Sequence, residues 1–319
     1  MKHTTQKILI TDDVDPSLIT GLQQQGFTVD FMPDIKPDKV VELIPTYEGL
    51  IVNSKIYAGK ELFDKAINLR FVCRVGSGLE VIDREYAALK GIAAFNSPEG
   101  NRVAVAEHAL GMLLAMMNNL VRANASVKNG EWKREENRGV ELSGKTVALI
   151  AYGHNAQAFA RLLAGFSVKV LAYDKYYQGF SDSLVKEASL QQIFDEADVL
   201  SLHLPLTAET EYMIDYEFLS KFRKPLWFIN ISRGKVLRTV DLLRCLEEGK
   251  ILGAALDVLE NEKLNTLTTE QKTVFEKLCV NEKIILSPHV AGWTYESKVE
   301  LARVLLNKIS RLYSENTLR

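Results

Sequence analysis

The sequence has few cysteines and no excess of one charge, and each absence removes a class of protein. Cys73, Cys245 and Cys279 are the three cysteines among 319 residues; they are odd in number and far apart. This pattern predicts reduced structural thiols, with no disulfide framework and no metal site. Lysine and arginine number 39 against 41 acidic residues, for a formal net charge of −2. Nothing in this balance favours a nucleic acid or an anionic membrane as partner.

Long apolar runs are also absent, since no stretch approaches the ~20 residues that a membrane-spanning helix needs. The segment from Met1 to Lys7 is polar and leads into a predicted strand, without the apolar core of a signal peptide. We therefore expect a cytoplasmic protein. With 47% hydrophobic and 25% charged residues, the composition is that of a globular chain. A length of 319 residues exceeds what one core usually supports, so two domains are expected.

Short apolar runs alternate with stretches of helical spacing in two successive sets. The first set has predicted strands at Lys7–Thr11, Thr28–Met32, Gly49–Asn53, Arg70–Arg74 and Ile92–Asn96, and helices at Pro16–Gln24, Pro37–Leu43, Lys60–Ala66 and Asp83–Leu89. The second has strands at Thr146–Ala151, Lys169–Tyr173, Val199–Leu202, Leu226–Ile231, Gly253–Val258 and Ile284–Ser287, and helices at Ala156–Leu163, Leu190–Ala197, Val240–Glu248 and Thr294–Tyr313. Such alternation indicates βαβ units, parallel sheets and an α/β fold.

The region between the two sets differs from both. Apolar residues recur at helical spacing from Asn101 to Lys128, without proline, which predicts one long and mostly buried helix. The polar stretch that follows, Asn129–Ser143, is expected to be an excursion before the second domain. His108 lies in the predicted helix and is expected to be a packing residue.

A dinucleotide site is indicated at the start of the second set. The run Thr146–Ala151 is followed by a short turn through Gly153, a helical pattern, a second strand and then Asp174. In this layout a pyrophosphate rests on the N-terminus of the helix, where free N–H groups and the helix dipole favour anions. A carboxylate at Asp174 would accept hydrogen bonds from a ribose diol and repel a 2′-phosphate, which favours NAD over NADP.

The turn departs from the usual G-x-G-x-x-G pattern at its first position. It reads Ala151-x-Gly153-x-x-Ala156. Alanine is acceptable at the third position, where helix and strand need only pack closely. Ala151, in contrast, adds a Cβ where glycine makes the turn tight, so we expect strain or crowding of the phosphates there.

Polar residues follow three predicted strands near the C-terminus, where open α/β sheets bind ligands. The three segments are Phe228–Gly234, Gly253–Glu262 and Ser287–Trp293. Oxidation of a 2-hydroxy acid needs a base for the hydroxyl proton, a carboxylate to orient that base, and a cation for the substrate carboxylate. We interpret His289, Glu262 and Arg233 as these three groups. Trp293 is expected either to contact substrate or to pack.

These segments and several others resemble the D-isomer-specific 2-hydroxyacid dehydrogenase family, in its phosphoglycerate dehydrogenase-like branch. The resemblance covers nearly the whole chain. The other matching stretches are Val72–Gly78, Pro98–Asn101, Ala106–His108, Leu142–Thr146 and His203–Thr207.

The resemblance implies an NAD-dependent oxidoreductase that interconverts a small D-2-hydroxy acid and its 2-oxo acid, with no metal. Arg233 would bind the substrate carboxylate and oxo group, while Glu262 would pair with His289 as the acid–base group. Asp257 would meet the nicotinamide carboxamide. The substrate-binding residues would be Arg74, Val75, Gly76, Ser77 and Arg233. The cofactor-binding residues would be Ser77, Gly153, His154, Asn155, Asp174, His203, Leu204, Pro205, Ile231, Ser232, Asp257 and Gly292.

The resemblance also implies two doubly wound parallel-sheet domains. Residues 1–100 and 287–319 would form a discontinuous, flavodoxin-like substrate-binding domain, and residues 101–286 would form a Rossmann NAD-binding domain. Family members usually form homodimers through the NAD domain, here expected at Asn118–Gly139. Because the sequence ends at Arg319, we expect no C-terminal regulatory domain.

Other departures leave the substrate open. Asn53 stands where phosphoglycerate-specific members often carry arginine, although Lys55 is close by. Lys263 replaces a common proline, and Ser167 a usual glycine. The candidate substrates are 3-phosphoglycerate, glycerate with hydroxypyruvate, and lactate-type acids. The alternative function is a nucleotide-sensing or scaffold homologue without turnover; Ala151 favours it, and the set Arg233, Glu262 and His289 opposes it.

Overall fold

The computed structural model of the chain describes residues 6–316. Most of the polar N-terminal segment expected from the sequence, residues 1–5, therefore lies outside the described part. The chain divides into two compact units. The first consists of Met1–Arg102 with Trp293–Arg319, and the second of Val103–Gly292.

The first unit contains a five-stranded, fully parallel sheet. Its strands are β1 (Lys7–Ile10), β2 (Thr28–Phe31), β3 (Gly49–Val52), β4 (Phe71–Arg74) and β5 (Ala93–Asn96), in the order β2-β1-β3-β4-β5. This is the flavodoxin-like order. The helices are α1 (Pro16–Gln24), α2 (Pro37–Leu43), α3 (Lys60–Lys65), α4 (Arg84–Leu89) and, from the end of the chain, α12 (Tyr295–Asn316).

Helices cover both faces of this sheet, which explains the continuous apolar runs of its central strands. On one face the core includes Val40, Leu62 and Ile82. On the other face, Leu18 of α1 packs with Leu305 of α12. The last helix is therefore part of the core of the first unit, although nearly two hundred residues separate it from β5.

The second unit contains a seven-stranded parallel sheet. Its strands are β6 (Thr146–Ile150), β7 (Lys169–Tyr173), β8 (Lys186–Glu187), β9 (Val199–Leu202), β10 (Leu226–Asn230), β11 (Ile251–Leu256) and β12 (Ile284–Leu286), in the order β12-β11-β10-β9-β6-β7-β8. This is the Rossmann order with one further strand, and the strand order reverses between β6 and β9. The predicted α/β class with two doubly wound sheets is confirmed.

The helices of the second unit lie between these strands and before them. They are α5 (Pro98–Met117, which begins in the first unit), α6 (Leu120–Lys128), α7 (His154–Leu163), α8 (Leu190–Glu196), α9 (Tyr216–Ser220), α10 (Thr239–Glu247) and α11 (Thr269–Val280). One face of the sheet packs against α5 and α7. The other packs against α8, α9 and α10.

The prediction of a single helix between Asn101 and Lys128 is wrong, because the structure has two helices there, α5 and α6. Asn119 adopts a left-handed conformation with φ of 52°, and its side chain donates to the carbonyl of Arg138 at 3.1 Å. Asparagine tolerates this conformation better than most residues. Among the described helices none alone is long and apolar enough to cross a membrane; α5 and α6 pass that test only together, bent by 61°.

Candidate active site

The turn between β6 and α7 carries the strain that its sequence predicted. Ala151 has φ of 68°, in the left-handed region that favours glycine. Its N–H donates to the carbonyl of Tyr173 at 2.8 Å, which ties the turn to the end of β7. Gly153 precedes the first turn of α7, and a Cβ added there would meet no atom within 4 Å. The turn therefore leaves open space in front of the helix N-terminus.

Two buried polar atoms of the second unit have no hydrogen-bond partner among the described residues. One is Oδ1 of Asn155, in the first turn of α7; the other is Nδ1 of His203, which follows β9. His203 contacts Ser201 Oγ through its other ring nitrogen at 3.0 Å, and burial lowers its pKa to about 3. Buried polar groups are rarely left unpaired. Together with the open space at Gly153, these atoms fit a bound dinucleotide. Leu204, half-buried, and Pro205, exposed, follow His203.

Asp174 lies directly after β7, at the edge where the sequence predicted it. Its carboxylate accepts the N–H of Tyr152 at 2.8 Å, and those of Tyr176 and Tyr177 at 2.9 Å. An ionised carboxylate offers about four acceptor positions, so roughly one remains for a ribose hydroxyl. Asp174 thus organises the two loops around it as well as offering a negative charge.

Glu262 and His289 are brought together by the structure. The Nδ1 atom of His289 lies 2.9 Å from Oε2 of Glu262, and both side chains are nearly half exposed. The contact joins the loop after β11 to the segment after β12. His289 adopts a left-handed conformation with φ of 55°.

Arg233 lies at the carboxyl end of β10, the strand next to β11. The loop is ordered by Asn230, whose side chain accepts the N–H and hydroxyl of Ser232 and donates to the carbonyl of Arg233. Arg233 in turn donates to the Ser232 carbonyl at 2.7 Å. Ile231 is buried in this loop. Gly234, the next residue, packs so closely on the loop after β11 that an added Cβ would lie 1.9 Å from the carbonyl oxygen of Leu259.

Asp257 follows β11 and is 1% exposed. It binds the segment after β12 through Val290 and Ala291 and also contacts Ser287. Ser287 in turn lies 2.9 Å from His108 of α5. Sequence reasoning missed these roles of Ser287 and His108, because they are 179 residues apart and no spacing signal joins them. Gly292, the last cofactor residue expected from the sequence, ends the second unit.

The expected substrate residues of the first unit lie together at the end of β4 and in the loop after it. The guanidinium of Arg74 is 3.0 Å from Glu80. Val75 donates to the carbonyl of Val52, and Gly76 donates to Ser97 Oγ. Ser77 Oγ donates to Asn101 Oδ1 at 2.6 Å. Trp293, 76% exposed, also belongs to this unit. Among residues 6–316 no group of three metal-ligating side chains is close enough to hold a metal ion.

Known proteins match both the fold and the sequence. The family model described as D-isomer specific 2-hydroxyacid dehydrogenase, NAD binding domain, matches residues 110–291. A D-3-phosphoglycerate dehydrogenase of Synechocystis sp. is 32% identical over 94% of this chain and 52% of its own length. A hydroxypyruvate reductase of Thermotoga maritima is 32% identical over 86% of this chain and 88% of its own length.

A solved D-lactate dehydrogenase from Aquifex aeolicus, in complex with NAD and lactic acid, superposes with a TM-score of 0.81 at 24% identity, covering 98% of this chain and 96% of that one. At this identity the likeness shows the fold alone. The chain spans about half the length of the D-3-phosphoglycerate dehydrogenases that it matches. The family resemblance read from the motifs is confirmed, and the chain belongs to the D-isomer-specific 2-hydroxyacid dehydrogenases.

Proposed function

We propose that this protein is an NAD-dependent dehydrogenase that interconverts a small D-2-hydroxy acid and its 2-oxo acid. The observation that carries the proposal is the 2.9 Å contact between Glu262 and His289. It lies at the carboxyl edge of a Rossmann sheet, where such sheets bind ligands. The membership of the chain in the family supports the same reaction class.

Each catalytic group has a distinct task. Because Nδ1 of His289 faces Glu262, Nε2 is the nitrogen that takes the proton from the substrate hydroxyl, or returns it to the oxo group. Glu262 fixes the tautomer of the imidazole and stabilises its charged form. Arg233 binds the substrate carboxylate with its planar guanidinium and polarises the oxo group. The nicotinamide ring of NAD, when bound, supplies the hydride acceptor or donor.

The second unit is proposed to hold the cofactor. Gly153, His154 and Asn155 would bind the pyrophosphate at the N-terminus of α7, and Asp174 would bind the adenosine ribose. His203, Leu204 and Pro205 would border the adenosine. Ile231, Ser232, Asp257 and Gly292 would line the nicotinamide end. The negative charge of Asp174 favours NAD over NADP.

The first unit is proposed to bind the substrate through the loop after β4. Arg74, at the end of β4, and Val75, Gly76 and Ser77, which follow it, are the residues proposed for this task. Hydroxypyruvate and phosphohydroxypyruvate are the leading substrates, since relatives of both activities match the chain. Asn53 in place of arginine favours the unphosphorylated acid.

A homodimer in the cytoplasm is proposed as the working form. The expected dimer segment, Asn118–Gly139, exposes four large apolar side chains, namely Leu120, Val121, Val127 and Trp132. We propose that these side chains form the apolar part of the dimer interface. Cys73 and Cys245 are buried and Cys279 is exposed, and none of these thiols is paired, as expected in a reducing compartment.

NADH oxidation with a panel of 2-oxo acids tests the function. The panel is hydroxypyruvate, phosphohydroxypyruvate, glyoxylate, pyruvate and 2-oxoglutarate, with His289→Ala as the control. Turnover of one acid that is lost in the variant establishes the dehydrogenase and its substrate class. NADH binding without turnover of any acid would instead support the sensing or scaffold role. Absence of NADH binding would point to the strained turn at Ala151 as the defect.

A further inference from the structure

We propose that Asp257 is a positioning residue for His289, and that Ser287 and His108 complete the buried network through which it acts. The inference rests on the proposed function in one respect, which is that His289 is the acid–base group. Asp257 is expected from the family resemblance to meet the nicotinamide carboxamide. The contacts in the structure point to a different main task.

Asp257 alone binds three consecutive backbone N–H groups of the segment that carries His289. Its carbonyl oxygen accepts the N–H of His289 at 2.7 Å. Its carboxylate accepts the N–H of Val290 at 3.0 Å on Oδ1, and that of Ala291 at 2.9 Å on Oδ2. One residue therefore accepts every backbone N–H from His289 to Ala291.

The segment needs this support because its backbone is strained. A φ of 55° places His289 in the left-handed region, which costs a residue with a Cβ about 1–2 kcal/mol. Such a conformation persists only where the surroundings over-determine it. In an extended conformation the side chain of His289 would point elsewhere, and its Nδ1 would leave Glu262.

The carboxylate of Asp257 is suited to this task because it remains ionised although it is buried. Burial acts to raise its pKa, but the nearby ring of His108 and the hydrogen bonds from Ser287 and the backbone outweigh burial and lower the pKa below the usual value. A charged acceptor forms stronger hydrogen bonds with N–H groups than a neutral one.

Ser287 and His108 extend the network to helix α5. The hydroxyl of Ser287 is 2.5 Å from Oδ1 of Asp257 and 2.9 Å from Nε2 of His108. A hydroxyl has one hydrogen, and the shorter contact assigns it to Asp257. His108 must then donate from Nε2 to Ser287, so its ring carries a hydrogen on that nitrogen. His108 also lies 3.5 Å from Asp257 itself.

The acceptor capacity of Asp257 is largely committed to these partners. Oδ1 accepts from Ser287 and Val290, and Oδ2 accepts from Ala291. One acceptor position on Oδ2 is all that remains for a nicotinamide carboxamide. We therefore expect that the loss of the carboxylate affects the turnover number more than the affinity for the cofactor.

Asp257→Asn is the main test. Whichever way the new amide is oriented, its NH2 group faces the N–H of either Val290 or Ala291 and leaves it unpaired. The readouts are amide hydrogen exchange at Val290 and Ala291 in the cofactor-free protein, kcat and KM for the oxo acid, and the Kd of NADH. We expect at least about tenfold faster exchange at one of these amides and at least about tenfold lower kcat, with the Kd of NADH within about threefold of wild type. Ser287→Ala keeps the carboxylate and should lower kcat less. Glu260→Gln is the matched control, because it makes the same chemical change in the same loop and should leave all three readouts unchanged.

Unchanged exchange combined with a raised Kd of NADH would overturn the proposal and make Asp257 a cofactor ligand only. An effect of Ser287→Ala on NADH binding alone would do the same, even if Asp257→Asn did not fold. If the wild-type protein turns over no acid, the proposed function fails. The exchange measurement in the cofactor-free protein would still decide whether Asp257 holds the turn.

Discussion

At the scale of single residues, the candidate site combines an imidazole–carboxylate pair, a strained turn and a buried hydrogen-bond network. Glu262 and His289 were expected to pair, and the structure places them 2.9 Å apart. The strain at Ala151 was also expected, because the usual glycine is missing there. The network of Asp257, Ser287 and His108 could not be predicted, since a hydrogen bond between distant segments depends on the folded register of both.

Replacing Ala151 with glycine should stabilise the protein. Relief of the left-handed conformation at alanine stabilises the folded state by about 1–2 kcal/mol. The greater conformational freedom of glycine in the unfolded chain reduces this gain by about 0.4–1 kcal/mol. Urea denaturation of Ala151→Gly should therefore show a net gain of about 0.5–1 kcal/mol in the free energy of unfolding. Ala156→Gly, the same change inside helix α7, is the control and should lose about 1 kcal/mol. A loss in both variants would refute the strain at Ala151.

His203 should make the folded state sensitive to acid. Burial holds its pKa at about 3, below the ordinary 6.5, so between these values the unfolded chain binds a proton that the folded chain does not. Its contribution to stability is full above pH 6.5 and declines as the pH falls towards 3. Between pH 7 and pH 5, the difference in unfolding free energy between wild type and His203→Gln should change by about 2 kcal/mol. The same measurement on His154→Gln, which removes an exposed imidazole, provides the reference. If the difference in unfolding free energy from wild type does not change with pH for either variant, His203 is not buried and neutral as the structure indicates.

At the scale of helices and strands, most of the fold could be predicted because the apolar runs are continuous and the helices amphipathic. The strands Lys169–Tyr173 and Val199–Leu202 and the helices Pro16–Gln24 and Pro37–Leu43 have the predicted bounds. Helix α11 was missed because its apolar residues show little periodicity and only Leu278 is buried. Its start could have been found, since Thr268 and Gln271 form a capping box.

Gly234→Ala should separate the loops that carry Arg233 and Glu262. The added Cβ would lie 1.9 Å from the Leu259 carbonyl oxygen, and a backbone neighbour cannot move away cheaply. We expect a loss of about 1–3 kcal/mol in stability and a lower kcat, measured by denaturation and by NADH oxidation. Gly111→Ala is the control, because a Cβ there meets no atom within 4 Å and alanine in a helix stabilises. Unchanged kcat in Gly234→Ala would show that the loop spacing does not matter for turnover.

At the scale of the whole molecule, the sequence supported two α/β sheets, and both strand orders agree with the doubly wound topologies expected. The break between α5 and α6 was not predictable from periodicity, because apolar spacing continues across Asn118 and Asn119 while the backbone turns. The oligomeric state is harder to predict from the sequence, because it depends on which side chains share the folded surface and not on the spacing of apolar residues along the chain.

The exposed apolar segment Asn118–Gly139 should hold the proposed dimer together. Replacing Val121 and Trp132, both exposed, with glutamate would bury charge at such an interface and prevent association. Sedimentation velocity is expected to show a dimer for the wild type and a monomer for the double variant. The same double change at Ile67 and Leu89, which are also exposed and lie in the first unit, should leave the dimer intact. A wild-type monomer at every concentration would exclude this interface.

The place of α12 has a consequence for how the protein is made on the ribosome. Leu301, Ala302, Leu305 and Ile309 belong to the core of the first unit, yet they are translated after the entire second unit. Chains usually fold by domains as these emerge during synthesis. Here the middle of the chain should reach its native state first, while the N-terminal hundred residues wait with an apolar face uncovered until the last helix emerges. We therefore expect the apolar face of the N-terminal unit to stay open to non-native contacts until the last helix has been translated.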